Sequence, residues 1–249
     1  MILNSGESDC CNASVYENTE RCLACKEHCE VVNLEDDVMK ITNEDNMELM
    51  ARYEDNYFDL AIVDPPYGID IDKRQEALAG KKIGNNGGRY KKYHLTDWDG
   101  SVPTKEYFDE LFRVSKNQII WGGNYFFEVD LSGIIIWNKG SNGVFKDGEL
   151  AKTSINTFKI HYISRADAYI NKCDNKIHPT QKPTQLYEWL LMNYAKEGDK
   201  ILDTHLGSGS IALACHNLGY DLTACELDKE YFEASLKRLK QHQSQLRLI

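Results

Sequence analysis

The run KILDTHLGSGSIALACHNLGYDLTACE (200–226) constrains the fold of this chain more than any other stretch. A short apolar segment closes on an acid and a glycine turn follows. An apolar stretch of helical length comes next, then a second apolar segment closing on Glu226. Strand, glycine loop, helix and strand in that order are the unit that builds parallel sheets. Gly207 and Gly209 let the backbone come close to a ligand, and the helix that follows presents free N–H groups. Glu226 lies 17 residues after Gly209, at a strand end where a carboxylate can accept hydrogen bonds from both hydroxyls of a ribose. The pattern describes a pocket for an adenosine-containing cofactor. Gly207-x-Gly209-x-x-Ala212 also fits the dinucleotide fingerprint, which keeps a nicotinamide cofactor open, and glycines at this spacing can serve tight strand–helix packing alone. Asp203, before the glycines, speaks for a ligand, with capping of the local turn as its alternative.

The same alternation runs through the chain from about Val38. VMKIT, FDLAIVD, NQIIWGG, GIIIWNK, KILDT and DLTACE read as strands. EDNMELMARY, TKEYFDELFRVS, PTQLYEWLLMNYA, IALACHNLG and DKEYFEASLKRLKQHQ read as helices. Segment 68–102 reads as a long Gly/Asn/Lys loop, and 140–177 as a polar, irregular stretch with β-leaning pieces such as TFKIHYIS. The expected fold is α/β, a doubly wound, mostly parallel sheet covered on both faces, occupying 38–249. Hydrophobic residues at 42% and charged residues at 27% suit a soluble globular protein. No apolar run approaches a membrane span, and the N-terminus lacks the pattern of a secretory signal. Eight cysteines without an export signal suggest reduced thiols in a cytoplasmic protein.

Residues 1–37 differ, being acidic and rich in cysteine. Cys10, Cys11, Cys22, Cys25, His28 and Cys29 crowd together, and Cys22-x-x-Cys25 is a zinc half-site that Cys11 and Cys29 would complete. No second C-x-x-C follows at ribbon spacing, so a flexible acidic segment with free thiols is the other reading, and no metal is assigned to the chemistry. The net charge of −10 conceals an asymmetry: residues 1–60 carry 15 acids and 4 bases, leaving the remainder nearly neutral. Within 73–92 there are seven bases and one acid, a local field that can hold a polyanion although a solvated loop would look the same.

IVDPPYGI (62–69) carries the chemistry. A buried strand ends on Asp64 and is stiffened at once by Pro65 and Pro66, with Tyr67 behind them. The exocyclic amine of a nucleobase is a poor nucleophile because its lone pair is delocalised into the ring. Two acceptors set against its N–H bonds, the Asp64 carboxylate and the Pro65 carbonyl, can draw it towards tetrahedral geometry. Rigid prolines spare those acceptors any reorganisation. Tyr67 offers a flat face on which a base can stack. The structural alternative is a turn whose acid caps local backbone and whose tyrosine packs.

DPPYGI, HPTQKP and LDTHLGSGS, in that order, resemble the permuted β class of amino-group-specific DNA methyltransferases, over about 38–240. The resemblance implies a Rossmann-like methyltransferase fold, S-adenosylmethionine as donor and double-stranded DNA with the target base flipped out. It implies catalytic roles for Asp64, Pro65, Pro66 and Tyr67. It implies cofactor contacts from Asp64, from Asp203, Gly207, Ser208 and Gly209, from the ribose acid Glu226, and from Thr180, Gln181 and Lys182. Asp45 matches a position that contacts the donor's adenine, and capping of the helix starting there accounts for it equally well. Asn124 and Tyr125, in IIWGGNYF, are candidates for the base pocket or for ordinary packing. His205 stands where the family usually has Phe; it and His178 are expected to be structural.

Asp-Pro-Pro-Tyr in the family goes mainly with adenine N6 and Ser-Pro-Pro-Tyr with cytosine N4, so adenine is expected. Loop 73–92 would hold phosphates and segment 140–177 would read bases, which suggests a short recognition site or a homodimer sharing the work. The other readings are an N4-cytosine methyltransferase, a nicotinamide-dependent oxidoreductase, and a DNA-binding protein that has lost catalysis. A bacterial or phage restriction–modification setting is the one the resemblance implies.

Overall fold

The computed structural model of the chain describes residues 7–8, 31–32, 39–83, 88–89, 94, 99–140, 147–163 and 176–244. The chain divides into two units, Met1–Val38 and Met39–Ile249. In the first, strand β1 (Glu7–Ser8) pairs antiparallel with β2 (Val31–Val32). The cysteine and histidine cluster between positions 10 and 29 lies outside the described residues.

In the second unit the apolar runs read as strands all enter one eight-stranded sheet. Its strands are β3 (Met39–Thr42), β4 (Phe58–Val63), β7 (Ser115–Trp121), β8 (Gly133–Asn138), β9 (Gly148–Thr153), β10 (Phe158–Tyr162), β11 (Lys200–Asp203) and β12 (Asp221–Cys225). The helices are α1 (Asn46–Met50), α2 (Ile71–Leu78), α3 (Lys105–Val114), α4 (Thr184–Tyr194), α5 (Ser210–Leu218) and α6 (Lys229–Gln243). The strand order is β10-β8-β9-β7-β4-β11-β12-β3, and every neighbouring pair is parallel except the two that β9 makes.

Alternation along the central strands fills both faces. Leu60, Ile62, Ile119 and Trp121 pack with Leu186 and Leu190 of α4 and Ile211 of α5, whereas Ala61, Val63, Ile120 and Leu202 pack with Leu49 of α1 and Phe108 and Leu111 of α3. Period-two burial with helices on either side is the signature of a doubly wound sheet. β4 and β11 lie side by side in register, Leu60 opposite Ile201. From β4 the sheet is extended through β7 on one flank, and from β11 through β12 on the other. The loops leaving these two strands therefore part and open a crevice at the carboxyl edge, where α/β sheets bind ligands.

Two stretches depart from the reading of the sequence. Segment 68–102 contains helix α2, and strands β5 (Lys82–Ile83) and β6 (Gly88–Arg89) form an antiparallel pair. The residues of α2, IDKRQEAL, are mostly good helix formers that lack a strong apolar stripe, so periodicity does not reveal them. In segment 140–177, β9 and β10 are strands of the main sheet, and β9 wedges between β7 and β8. At the edge, Phe158, Ile160 and Tyr162 of β10 are exposed, while His161, on the other face, stacks on Trp189 of α4 with ring centroids 4.1 Å apart. No helix among the described residues is long and apolar enough to cross a membrane.

Candidate active site

Asp64 follows the last residue of β4 at the crevice. The turn after it is clamped from a distance by Asp99, which is buried. One carboxylate oxygen of Asp99 accepts the N–H of Tyr67 at 2.7 Å and of Gly68 at 3.0 Å, and the other accepts the N–H of Ile71 at 2.9 Å. Three charge-assisted bonds to backbone hold the proline turn at both its exit and the start of α2. Nothing in the local sequence pattern points to Asp99, because its partners lie some thirty residues earlier.

Both oxygens of Asp64 are engaged. The Tyr67 hydroxyl donates to Oδ1 at 2.5 Å, and the Lys182 ammonium donates to Oδ2. Lys182 is buried, lies 3.2 Å from Glu149 Oε2, and donates to the Tyr67 hydroxyl at 3.4 Å. Lys139 pairs with the other oxygen of Glu149. Burial pushes the Lys182 ammonium down, but Asp64 and Glu149 outweigh it and hold its pKa above the usual lysine value. Burial raises the Glu149 carboxyl, and Lys182 and Lys139 overcome that and hold it down to about 2. The result is a row of alternating charges, with both lysines buried, from the ends of β8 and β9 to the proline turn.

The ring of Tyr67 does not present the open face expected of it. Tyr125 lies parallel to it, centroids 5.0 Å apart at 10°, and Phe126 meets its edge. Gly122, at φ +67°, passes so close that a Cβ there would sit 2.2 Å from the Tyr67 ring, so only glycine fits. A base entering this face must displace Tyr125, which is partly exposed.

The second loop leaves β11. Gly207 and Gly209 have φ of +52° and +71°, conformations that favour glycine. A Cβ at Gly207 would meet nothing closer than 3.9 Å, leaving open space over the turn. The loop is held from behind by Arg238 of α6, which donates to the Ser208 carbonyl at 2.8 Å, to Ser210 Oγ at 3.0 Å and to Thr184 Oγ1 at 3.2 Å. Ser210 Oγ donates to the Lys182 carbonyl at 2.7 Å, which ties the HPTQKP segment to the glycine loop. Glu226 accepts the Gly207 N–H at 2.7 Å and the Asp228 N–H at 2.9 Å.

Asp203 is buried and accepts the His205 N–H at 3.0 Å, and no cation pairs with it among the described residues. Burial, with Asp64 and Glu226 nearby, pushes its carboxyl up to about 8. A buried carboxylate short of a positive partner, beside a glycine turn with room above it, fits a cationic ligand carrying an adenosyl group.

The remaining predicted residues are more local. Asp45 is the N-cap of α1 and accepts the Met47 N–H at 2.8 Å. Next to it, Asn46 bonds His205 Nε2 at 3.2 Å. His205 also bonds Thr204, packs on Tyr107 and is pushed down to about 4 by burial, which favours its neutral form. His178 is buried, with its ring against Tyr231 and Nδ1 3.0 Å from Thr180 Oγ1. Gln181 Oε1 accepts the Ile177 N–H at 2.8 Å. Asn124 is exposed. Asp64, Tyr67 and Lys182 thus meet directly, and Lys182 is linked through Ser210 to the glycine loop.

Residues 137–237 match the family model for DNA methylase. The matched segment holds Lys182, Asp203, the glycine loop and Glu226, along with Lys139 and Glu149. The Type II methyltransferase M2.DpnII of Streptococcus pneumoniae is 23% identical, the alignment covering 81% of this chain and 90% of that one. By these matches the chain is similar to amino-methyltransferases. The Type II methyltransferase M.HpaI of Haemophilus parainfluenzae is 41% identical over 71 residues, which span only 22% of its length. The crystal structure of the M1.HpyAVI–SAM complex superposes with a TM-score of 0.52 at 21% identity, over 81% of this chain and 98% of that one. The overlap shows that the chain shares the fold of that methyltransferase.

Proposed function

We propose that this protein transfers a methyl group from S-adenosylmethionine to the exocyclic N6 of adenine in DNA. The observation that carries the reading is Asp64, on a clamped proline turn at the switch-point crevice, one strand away from a glycine loop whose buried Asp203 meets no cation among the described residues. Asp203 would take the donor's ammonium, the turn Gly207–Ser208–Gly209 would cradle the donor, and Glu226 would accept from its ribose. Asp45, whose neighbour Asn46 bonds His205, would lie at the adenine end, and Thr180, Gln181 and Lys182 would close over the methionine end. When bound, the donor supplies a methyl carbon activated by its sulfonium; the C–S bond breaks with its electron pair left on sulfur as the N–C bond forms.

The chain's own residues prepare the nitrogen. Asp64 and the Pro65 carbonyl accept from its two N–H bonds and release its lone pair from the ring. After transfer the nitrogen bears a positive charge, and Asp64 faces it, stabilises it and takes one of its protons. Positioning of this kind supplies several kcal/mol of a barrier. Tyr67 supports the base once Tyr125 has moved aside, which requires the base to leave the duplex stack. Bases in segment 73–92 would hold phosphates, and a second copy of the chain would share the reading of sequence. Asp rather than Ser before Pro-Pro-Tyr favours adenine over cytosine.

The test uses duplex DNA of mixed sequence, donor labelled in its methyl group, and digestion to nucleosides. Label is expected in N6-methyldeoxyadenosine. Label in N4-methyldeoxycytidine would move the target to cytosine. No transfer, with binding of a nicotinamide dinucleotide in place of S-adenosylmethionine, would overturn the reading.

A further inference from the structure

The chain Lys139–Glu149–Lys182–Asp64 reaches further than the methyl acceptor itself requires. Asp64 must offer an oxygen to an arriving amine, yet in this structure Tyr67 and Lys182 hold both. Lys182 is buried, and a buried ammonium that simply let go would be stranded without a counter-charge. Glu149 Oε2, 3.2 Å from Lys182, supplies a second berth. Lys139, itself buried, balances Glu149 from the far side, so the row of four carries two positive and two negative groups.

We infer that Glu149 is a positioning residue for methyl transfer: it shares the Lys182 ammonium with Asp64 and takes it over when the target amine arrives, freeing Asp64 as acceptor. The inference rests on the methyltransferase reading above and deepens it. Glu149 lies on β9, the antiparallel strand that enters the sheet beside β7, so this strand carries part of the machinery into the crevice. The handover keeps every buried charge paired throughout, and it lets the positive charge that develops on the methylated nitrogen meet a carboxylate no longer neutralised by lysine. The titratable groups that bear on Asp64 are Tyr67 of its own turn, Lys182 before α4, Tyr187 of α4, Glu149 of β9 and Asp203 of β11.

The experiment measures kcat against pH for the wild-type protein, E149Q, E149D and K139M, with donor binding measured separately and folding read from thermal melts. E149Q leaves the whole lysine on Asp64; its kcat is expected to fall about tenfold or more while donor affinity stays within about threefold. E149D keeps the carboxylate and is expected to fall between the two. E149Q removes a negative charge and K139M a positive one, so the acid limb of kcat is expected to move down for the first and up for the second, each by about half a pH unit or more. A merely structural role would not reverse the sign. A folded E149Q with wild-type kcat and an unmoved acid limb overturns the inference. Should E149Q not fold, K139M decides it: an upward shift supports the handover, and an unmoved or downward limb overturns it. A wild-type protein that transfers no methyl group would overturn the reading beneath, a result distinct from an active wild type with an indifferent E149Q.

Discussion

Two loops leave neighbouring strands at the same edge of the sheet, and they are held by opposite means. The turn after β4 is fixed by charge: Asp99 grips three of its N–H groups, and Lys182 and Tyr67 occupy both oxygens of Asp64. The turn after β11 is fixed by backbone, through two glycines at positive φ and a buried arginine donating to a loop carbonyl, and its own acid, Asp203, meets no cation among the described residues. One loop is electrically complete and, on the proposed reading, must be opened to work. The other is incomplete and, on the same reading, would be finished by a ligand. A methyl transfer between them needs both, a rigid acceptor on one side and a charge-seeking cradle on the other.

The comparison breaks most visibly at Asp64. Replacing it with Ala should lower kcat by about a thousandfold while donor affinity, measured by calorimetry, changes little. Comparable losses in both would mean that the two loops do not divide the work. Asp99→Ala comes next. It orphans three backbone donors in and after the proline turn, so a loss of about 3 kcal/mol in chemical denaturation and a fall in kcat of about tenfold or more are expected. Asp203→Asn should cost about tenfold in donor affinity, yet make the protein more stable near neutral pH.

That sign follows from linkage. The Asp203 carboxyl is raised to about 8 in the fold, against about 3.9 in an unfolded chain, so between those values the folded state binds the extra proton. Stability is therefore greatest below the lower value and declines as pH climbs through the window, and the Asn variant should lose this slope. The smallest effect is on binding. The donor's ammonium needs Asp203 ionised, so affinity should climb severalfold as pH approaches about 8 and then level off. A flat profile would mean that Asp203 does not meet the donor's charge.

Legibility in the sequence followed the apolar pattern. FDLAIVD and KILDT announce β4 and β11 because both are buried on two faces, and the motifs that end them follow directly. GELAKT hides β9, since it offers only Leu150 and Ala151 as apolar residues and spends Glu149 on an inward ion pair that looks like surface charge. Asp99 was hidden for another reason: its role lies in three N–H groups that no side-chain pattern records. The stacking of Tyr125 over Tyr67 likewise depends on β7 bringing Gly122 beside the turn, a tertiary event that separates the aromatic expected to greet a base from the open space it was expected to face.

The most direct test is a crystal structure with S-adenosylhomocysteine and a duplex holding the target base. The account expects the Asp64 carboxylate and the Pro65 carbonyl each about 3 Å from the exocyclic amine, with Lys182 moved to Glu149. An occupied complex in which Asp64 still holds Lys182 and points away from the amine would contradict it.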